Sequence, residues 1–193
     1  ASTPARAMLF TGKDTHVAGV GTMTGLLRPE QSGPDGKPLP AYQVRLSKEV
    51  LPISELLLNN GYNTMISGKW DLGLEEGYRP RDRGFSQDFA LLTGGDNFFM
   101  SDQDGNPITS YVAVFEKMGW PSPYDENGQL LSKFPPNAYT TNLYTDKAIE
   151  MLDKRDKDKP FFLAVTYNAP HDPFQAPADV TAKHVSAYSK GWD

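Results

Sequence analysis

The sequence predicts an α/β fold, and two observations carry that expectation. Residues 52–69 read as a short helix, a glycine and a strand. Residues 140–166 repeat the order with a longer helix and a nearly all-apolar strand. Units of this kind set parallel strands side by side and pack helices on their faces.

The first helix is expected over Thr3–Leu9, with Thr3 as its cap and Pro4 in its first turn. Ala5-Arg6-Ala7-Met8-Leu9 are good helix formers, and Gly12 suits the stop. Residues 13–47 are rich in Gly, Pro and polar side chains, and Gly33-Pro34-Asp35-Gly36-Lys37-Pro38 reads as an exposed loop. Pro52–Asn60 forms the second helix, with Ile53, Leu56 and Leu57 on one face and Gly61 closing it. Tyr62–Ser67 follows as a strand that leads into Gly68-Lys69-Trp70. Residues 73–139 mix Gly, Pro and Asp with scattered aromatics such as Phe98, Phe99 and Trp120. They read as an irregular insertion that either shapes a pocket or lies on the surface. Thr140–Arg155 has the clearest helical pattern, capped by Thr140 or Thr141, with Leu143, Ala148, Ile149, Met151 and Leu152 on its apolar side. The charged stretch Asp153–Lys159 reads as a solvated helix end and turn. Phe161–Thr166 reads as a strand buried on both faces, running directly into Tyr167-Asn168-Ala169-Pro170-His171.

Composition narrows the chemistry. With 193 residues, 38% of them hydrophobic, the chain is long enough for one domain with a core. It contains no cysteine, which excludes disulfides, thiolate metal sites and a cysteine nucleophile. Its net charge of −5 gives no basic face for nucleic acid, and no apolar run approaches the roughly 20 residues of a membrane helix. The chain starts Ala1-Ser2-Thr3-Pro4, without initiator Met or signal peptide, so it is expected to begin inside a longer protein. Its compartment, whether periplasmic, secreted or cytoplasmic, stays open.

Both clear strands run into polar groups, Lys69 with Asp71 and His171 with Asp172. Sites in open α/β sheets gather beyond the carboxyl ends of strands, which suggests one shared site. Ser2, Pro4 and Arg6 stand at a helix entry, where free N–H groups and the helix dipole favour an anion. By themselves they describe equally a plain capped helix with a surface arginine. His171 by itself reads as a structural histidine after a strand, and His16 and His184 as structural or surface residues.

Ser2-Thr3-Pro4-Ala5-Arg6, followed by Ala7-Met8-Leu9-Phe10-Thr11-Gly12, resembles the signature of sulfatases: Cys or Ser, any residue, Pro, any residue, Arg, a short apolar stretch and Thr-Gly. The stretch from Lys13 to Met23 looks like the continuation found in bacterial and fungal arylsulfatases. Gly68-Lys69-Trp70-Asp71-Leu72-Gly73 is similar to their Gly-Lys-Trp-His-Leu-Gly motif, and Ala169-Pro170-His171 to their Ala-Pro-His motif. Three motifs in order across residues 2–177 make the likeness specific.

The resemblance implies an alkaline-phosphatase-like layered fold, of which residues 1–193 are part of a single catalytic domain. The metal-binding first strand and the C-terminal half are then absent. It implies a sulfuric ester hydrolase releasing sulfate from an aryl or similar small alcohol. Ser2 takes the position converted by a sulfatase-maturating enzyme to formylglycine, which also contacts a divalent cation, calcium ahead of magnesium. The other ligands, Asp pairs and Asp-Asn on distant strands, do not occur in this chain, and Asp102 and Asp104 do not fit them. Arg6 would hold the formylglycine, Lys69 would bind a sulfate oxygen, and His171 would stand near the leaving oxygen. Asp71 replaces the usual histidine, leaving three options: a base beside the cation, a mark of weak or lost activity, or a solvent-facing turn residue. Two other functions stay open: a phosphonate or phosphate ester hydrolase of the same superfamily, and a truncated, non-catalytic domain.

Overall fold

A computed structural model of the chain describes residues 2–23, 25–109, 123–189 and 191. Among the described residues the α-helices and strands follow in the order α1 (Ser2–Thr11), α2 (Ile53–Asn59), β1 (Asn63–Lys69), β2 (Gln87–Leu91), β3 (Tyr124–Glu126), β4 (Gln129–Leu130), α3 (Thr140–Lys154), β5 (Phe161–Thr166) and α4 (Ala178–Ala182). The five strands form one sheet in the order β4-β3-β2-β1-β5. β1 lies between β2 and β5 and is parallel to both, with Ser67 opposite Phe89 on one side and Val165 on the other. β3 and β4 add an antiparallel hairpin at the far edge.

The period of two along the strands divides the core into two layers. Ile66, Ala90 and Ala164 face Ala7 and Phe10 of α1, together with Val20, Leu46, Trp70, Leu72 and Phe85. Met65, Phe89, Leu91 and Leu163 face Leu143, Tyr144 and Met151 of α3, with Tyr124 and Met100. The sheet is thus sandwiched, with α1 on one face and α3 on the other.

Several expectations change. α1 begins at Ser2 and runs to Thr11, so Thr3 sits inside the helix rather than capping it. Gly12 ends it as expected, at φ +64° with its N–H on Met8 O at 2.8 Å. α2 buries Ser54 rather than its leucines: the Ser54 hydroxyl donates to Arg83 O at 2.5 Å, while Ile53 and Leu56 are exposed. Neither Thr140 nor Thr141 caps α3, since both fall within the helix and Tyr139 holds the cap position. β1 extends two residues past the expected Ser67, which brings Lys69 into the strand.

The largest correction concerns residues 73–139. Among the described residues they supply β2, β3 and β4 and the buried Phe85, Phe89, Phe98, Met100 and Tyr124, so this stretch contributes strands and core side chains as well as loops. Trp120 lies outside the described residues. The hairpin turn is Asn127-Gly128, both at positive φ (52° and 86°), the pair that a two-residue turn of this hand favours. β5 is a correction too: it forms the sheet edge, with Phe161 exposed and the rest half-buried.

Candidate active site

Helix α1 approaches the sheet with its N-terminus at the carboxyl end of β1. Ser2 opens the helix, and Arg6 follows one turn later, so the two side chains share a face. Arg6 Nε donates to Ser2 Oγ at 3.3 Å. Arg6 also reaches the strand, where Nη1 donates to Lys69 O at 2.7 Å. Thr166 Oγ1, at the end of β5, donates to the same carbonyl at 2.7 Å.

Lys69 is the last residue of β1 and is buried. Its Nζ lies 3.5 Å from Asp71 Oδ2. The same oxygen accepts the Thr3 hydroxyl at 2.9 Å. Asp71 is only 7% exposed, which removes the solvent-facing reading, and its φ of +56° marks a left-handed turn beyond the strand. Gly94, from the loop after β2, packs beside it: a Cβ there would lie 3.4 Å from Asp71 Oδ1. The structure therefore gathers Ser2, Arg6, Lys69 and Asp71 into one cluster through Thr3 and the Lys69 main chain.

His171 stands apart. It follows β5 at the same end of the sheet, but its side chain is 41% exposed and Nδ1 contacts Asp172, at 2.7 Å from the carbonyl and 3.0 Å from Oδ1. Its loop is tied elsewhere, because Gln175 Oε1 accepts from the backbone N–H groups of Phe98 at 2.8 Å and Phe99 at 3.4 Å. His16 is a surface residue beside Asp14 and Tyr42, and His184 is exposed. Asp102 accepts from the backbone N–H groups of Asp104 and Asn106, both at 2.8 Å, and so organises its own loop.

Burial governs the electrostatics of the cluster. It pushes the Lys69 ammonium below its ordinary range, against the pull of Asp71 and with repulsion from Arg6 adding to it. It pushes the Asp71 carboxyl up, opposed by Lys69, the Thr3 hydroxyl and Arg6. The Arg6 guanidinium is lowered by the same desolvation, with Asp71 opposing. Each ion is held by its neighbours, and two cations outnumber one carboxylate beside a hydroxyl at a helix N-terminus. Such a cluster is built to receive an anion.

Thr3 and Thr166 were not legible as site residues. Threonine is common at helix starts and in strands, and neither position signals a partner 68 or 97 residues away.

Comparison with known proteins places this geometry in a family. A family model described as Sulfatase matches residues 1–193. An uncharacterized sulfatase of Schizosaccharomyces pombe is 36% identical over 196 residues, covering 100% of this chain and 34% of that protein. An arylsulfatase of Klebsiella aerogenes is 32% identical over 191 residues, covering 99% of this chain and 38% of its own length. The crystal structure of Ps i-CgsB in complex with k-i-k-neocarrahexaose superposes with a TM-score of 0.68 at 30% identity, over 94% of this chain and 37% of that one. The chain thus spans about a third of the length of the curated relatives it matches. The architecture is the alkaline-phosphatase-like fold of sulfatases.

Proposed function

Because the chain belongs to the sulfatase family, we propose that it carries the nucleophile end of a sulfatase active site and serves the hydrolysis of sulfate esters of aryl or similar small alcohols. The observation that supports this most is the joining of Ser2, Arg6 and Lys69 through hydrogen bonds of 3.3 and 2.7 Å at the N-terminus of α1.

Ser2 is the nucleophile position, and a sulfatase-maturating enzyme oxidises it to formylglycine. Hydrated, that group would supply a hydroxyl nucleophile at position 2. Arg6 orients the side chain at position 2 and offers positive charge to the ester oxygens. Lys69 binds a sulfate oxygen and stabilises the negative charge that builds as the ester bond breaks. His171 donates a proton or hydrogen bond toward the departing alcohol, which requires its loop to turn inward from the position beside Asp172. Asp71 takes part through Lys69 and Thr3, which it holds together.

A divalent cation, calcium ahead of magnesium, belongs to this reading, with position 2 as one ligand. The side chains about Ser2 do not by themselves fit it: Arg6 and Lys69 are cations. Among the described residues no three His, Cys, Asp or Glu side chains cluster for a metal. In this reading the remaining oxygen ligands come from the rest of a longer protein.

The test uses a protein that includes this chain. Mass spectrometry of the Ser2 peptide is expected to show loss of two hydrogens, and release of sulfate from an aryl sulfate is expected to collapse in Ser2→Ala and Lys69→Ala. An unmodified serine without turnover favours a non-catalytic anion-binding domain. Faster hydrolysis of the matched aryl phosphate or phosphonate moves the assignment to that ester class.

A further inference from the structure

Asn168 carries a buried amide with nothing to bond. It stands just past the end of β5 and is 5% exposed, and among the described residues neither Nδ2 nor Oδ1 has a hydrogen-bond partner. Both atoms are shielded from water, so solvent does not supply what the protein withholds. The main chain of the residue is engaged, since its carbonyl accepts the His171 N–H at 2.8 Å. Buried amides are normally paired, and an orphan costs stability until a partner arrives.

The pleat decides which side of the sheet this amide takes. Phe162 and Ala164 pack in the layer of α1, with Ala7 and Phe10. Leu163 packs in the layer of α3, and Tyr167 lies there near Tyr144, with ring centroids 6.4 Å apart. Alternation therefore puts Thr166 and Asn168 on the α1 side. Thr166 meets the Lys69 carbonyl that Arg6 also holds. Asn168 lies one pleat farther along, about 6.6 Å, toward the end of the sheet where α1 begins with Ser2. Asn168 is also the root of the loop that carries His171. The proposed reaction needs that loop to turn inward, and a turn that starts at Asn168 opens its amide to the ligand.

We infer that Asn168 is a further substrate-binding residue of this site, its side-chain N–H donating to an oxygen of the bound sulfate ester. The inference rests on the anion site proposed above. Sulfate oxygens accept hydrogen bonds and donate none, so the nitrogen is the end of the amide that pairs. An amide adds this donor beside Arg6 and Lys69 without changing the charge of the site.

Variants of a full-length protein that includes this chain are compared by thermal unfolding without substrate and by kcat/KM on phenyl sulfate. Asn168→Leu keeps the branched shape and removes the orphan amide. It is expected to unfold at the same temperature as the unaltered protein or higher, and to lose about tenfold or more in kcat/KM. Asn168→Asp has no N–H to donate and adds a negative charge, so its kcat/KM is expected to fall at least as far. A lower Tm in Asn168→Leu shows an amide that serves the fold, and an unchanged kcat/KM shows one that touches no substrate. Either result overturns the inference and leaves the anion site standing. Full activity in Asn168→Asp overturns it too, because an acceptor alone then suffices. Absence of turnover in the unaltered protein, or turnover that survives Ser2→Ala, overturns the anion site and the inference with it.

Discussion

Arg6 and Lys69 meet side chain to main chain: the guanidinium of one donates to the carbonyl of the other at 2.7 Å, and Thr166 donates to that same oxygen. One carbonyl thereby ties α1, β1 and β5 together. Arg6→Met is expected to lower stability by about 1.5–3 kcal/mol, because a charged hydrogen bond is lost from a half-buried place. Thr166→Val is expected to cost about 1 kcal/mol. Urea denaturation of the three chains measures both, and equal costs would count against a charge-assisted bond.

Gly68→Ala is expected to be severe. Gly68 has φ +122°, and a Cβ there would lie 2.3 Å from Thr166 O on the neighbouring strand. β5 must then move away from β1, loosening the Thr166 contact just described. A loss of about 3 kcal/mol or more is expected, read as a fall in Tm of roughly 6–12 °C. An unchanged Tm would show that the strands tolerate wider spacing.

Stability is expected to fall as pH rises through the neutral range. Asp88, on β2, is buried beside the Asp125 carboxyl. Burial first, then the adjacent Asp125 carboxyl, pushes its pKa to about 8, with Arg81 opposing. The unfolded chain gives up this proton near pH 4, whereas the folded chain keeps it. The favourable contribution is thus complete below about pH 4 and is lost as pH passes about 8. Urea midpoints at pH 5.5 and 8.5 should show the drop, and Asp88→Asn should flatten it.

Gln175→Ala is expected to release the loop that carries His171. Its side-chain oxygen accepts from Phe98 and Phe99, and Phe98 is buried. Hydrogen exchange at the Phe98 amide should accelerate about fivefold or more, matching the loss of about 1 kcal/mol of local protection. Exchange at Ile66, deep in β1, should not change.

The fold was legible where patterns were long. α3 and the helix–glycine–strand unit around Gly61 could be read because apolar spacing persisted over many residues. β2, only five residues and buried in all but its first, has no alternation to betray it. Asn127-Gly128 did carry a turn signal, but strands of three and two residues on either side are too short to support it. The site divided in the same way. Ser2, Arg6 and Lys69 stood out through their motifs. The clamp that joins them depends on Thr3, Thr166 and Gly94, whose residue types are ordinary and whose significance arises only from long-range packing. His171 lies at the same end of the sheet through strand order, and loop bonds to Asp172 and Gln175, which the sequence does not announce, decide where it points.

The half-buried border strand has a practical meaning. Phe161–Thr166 offers its outer backbone groups to no strand among the described residues, and its sequence is all apolar but for Thr166. Such a ribbon is a template for another chain. Made on its own, the 193-residue chain should therefore associate with itself as its concentration rises, and a lysine placed at Val165 should keep it dispersed, with light scattering as the gauge.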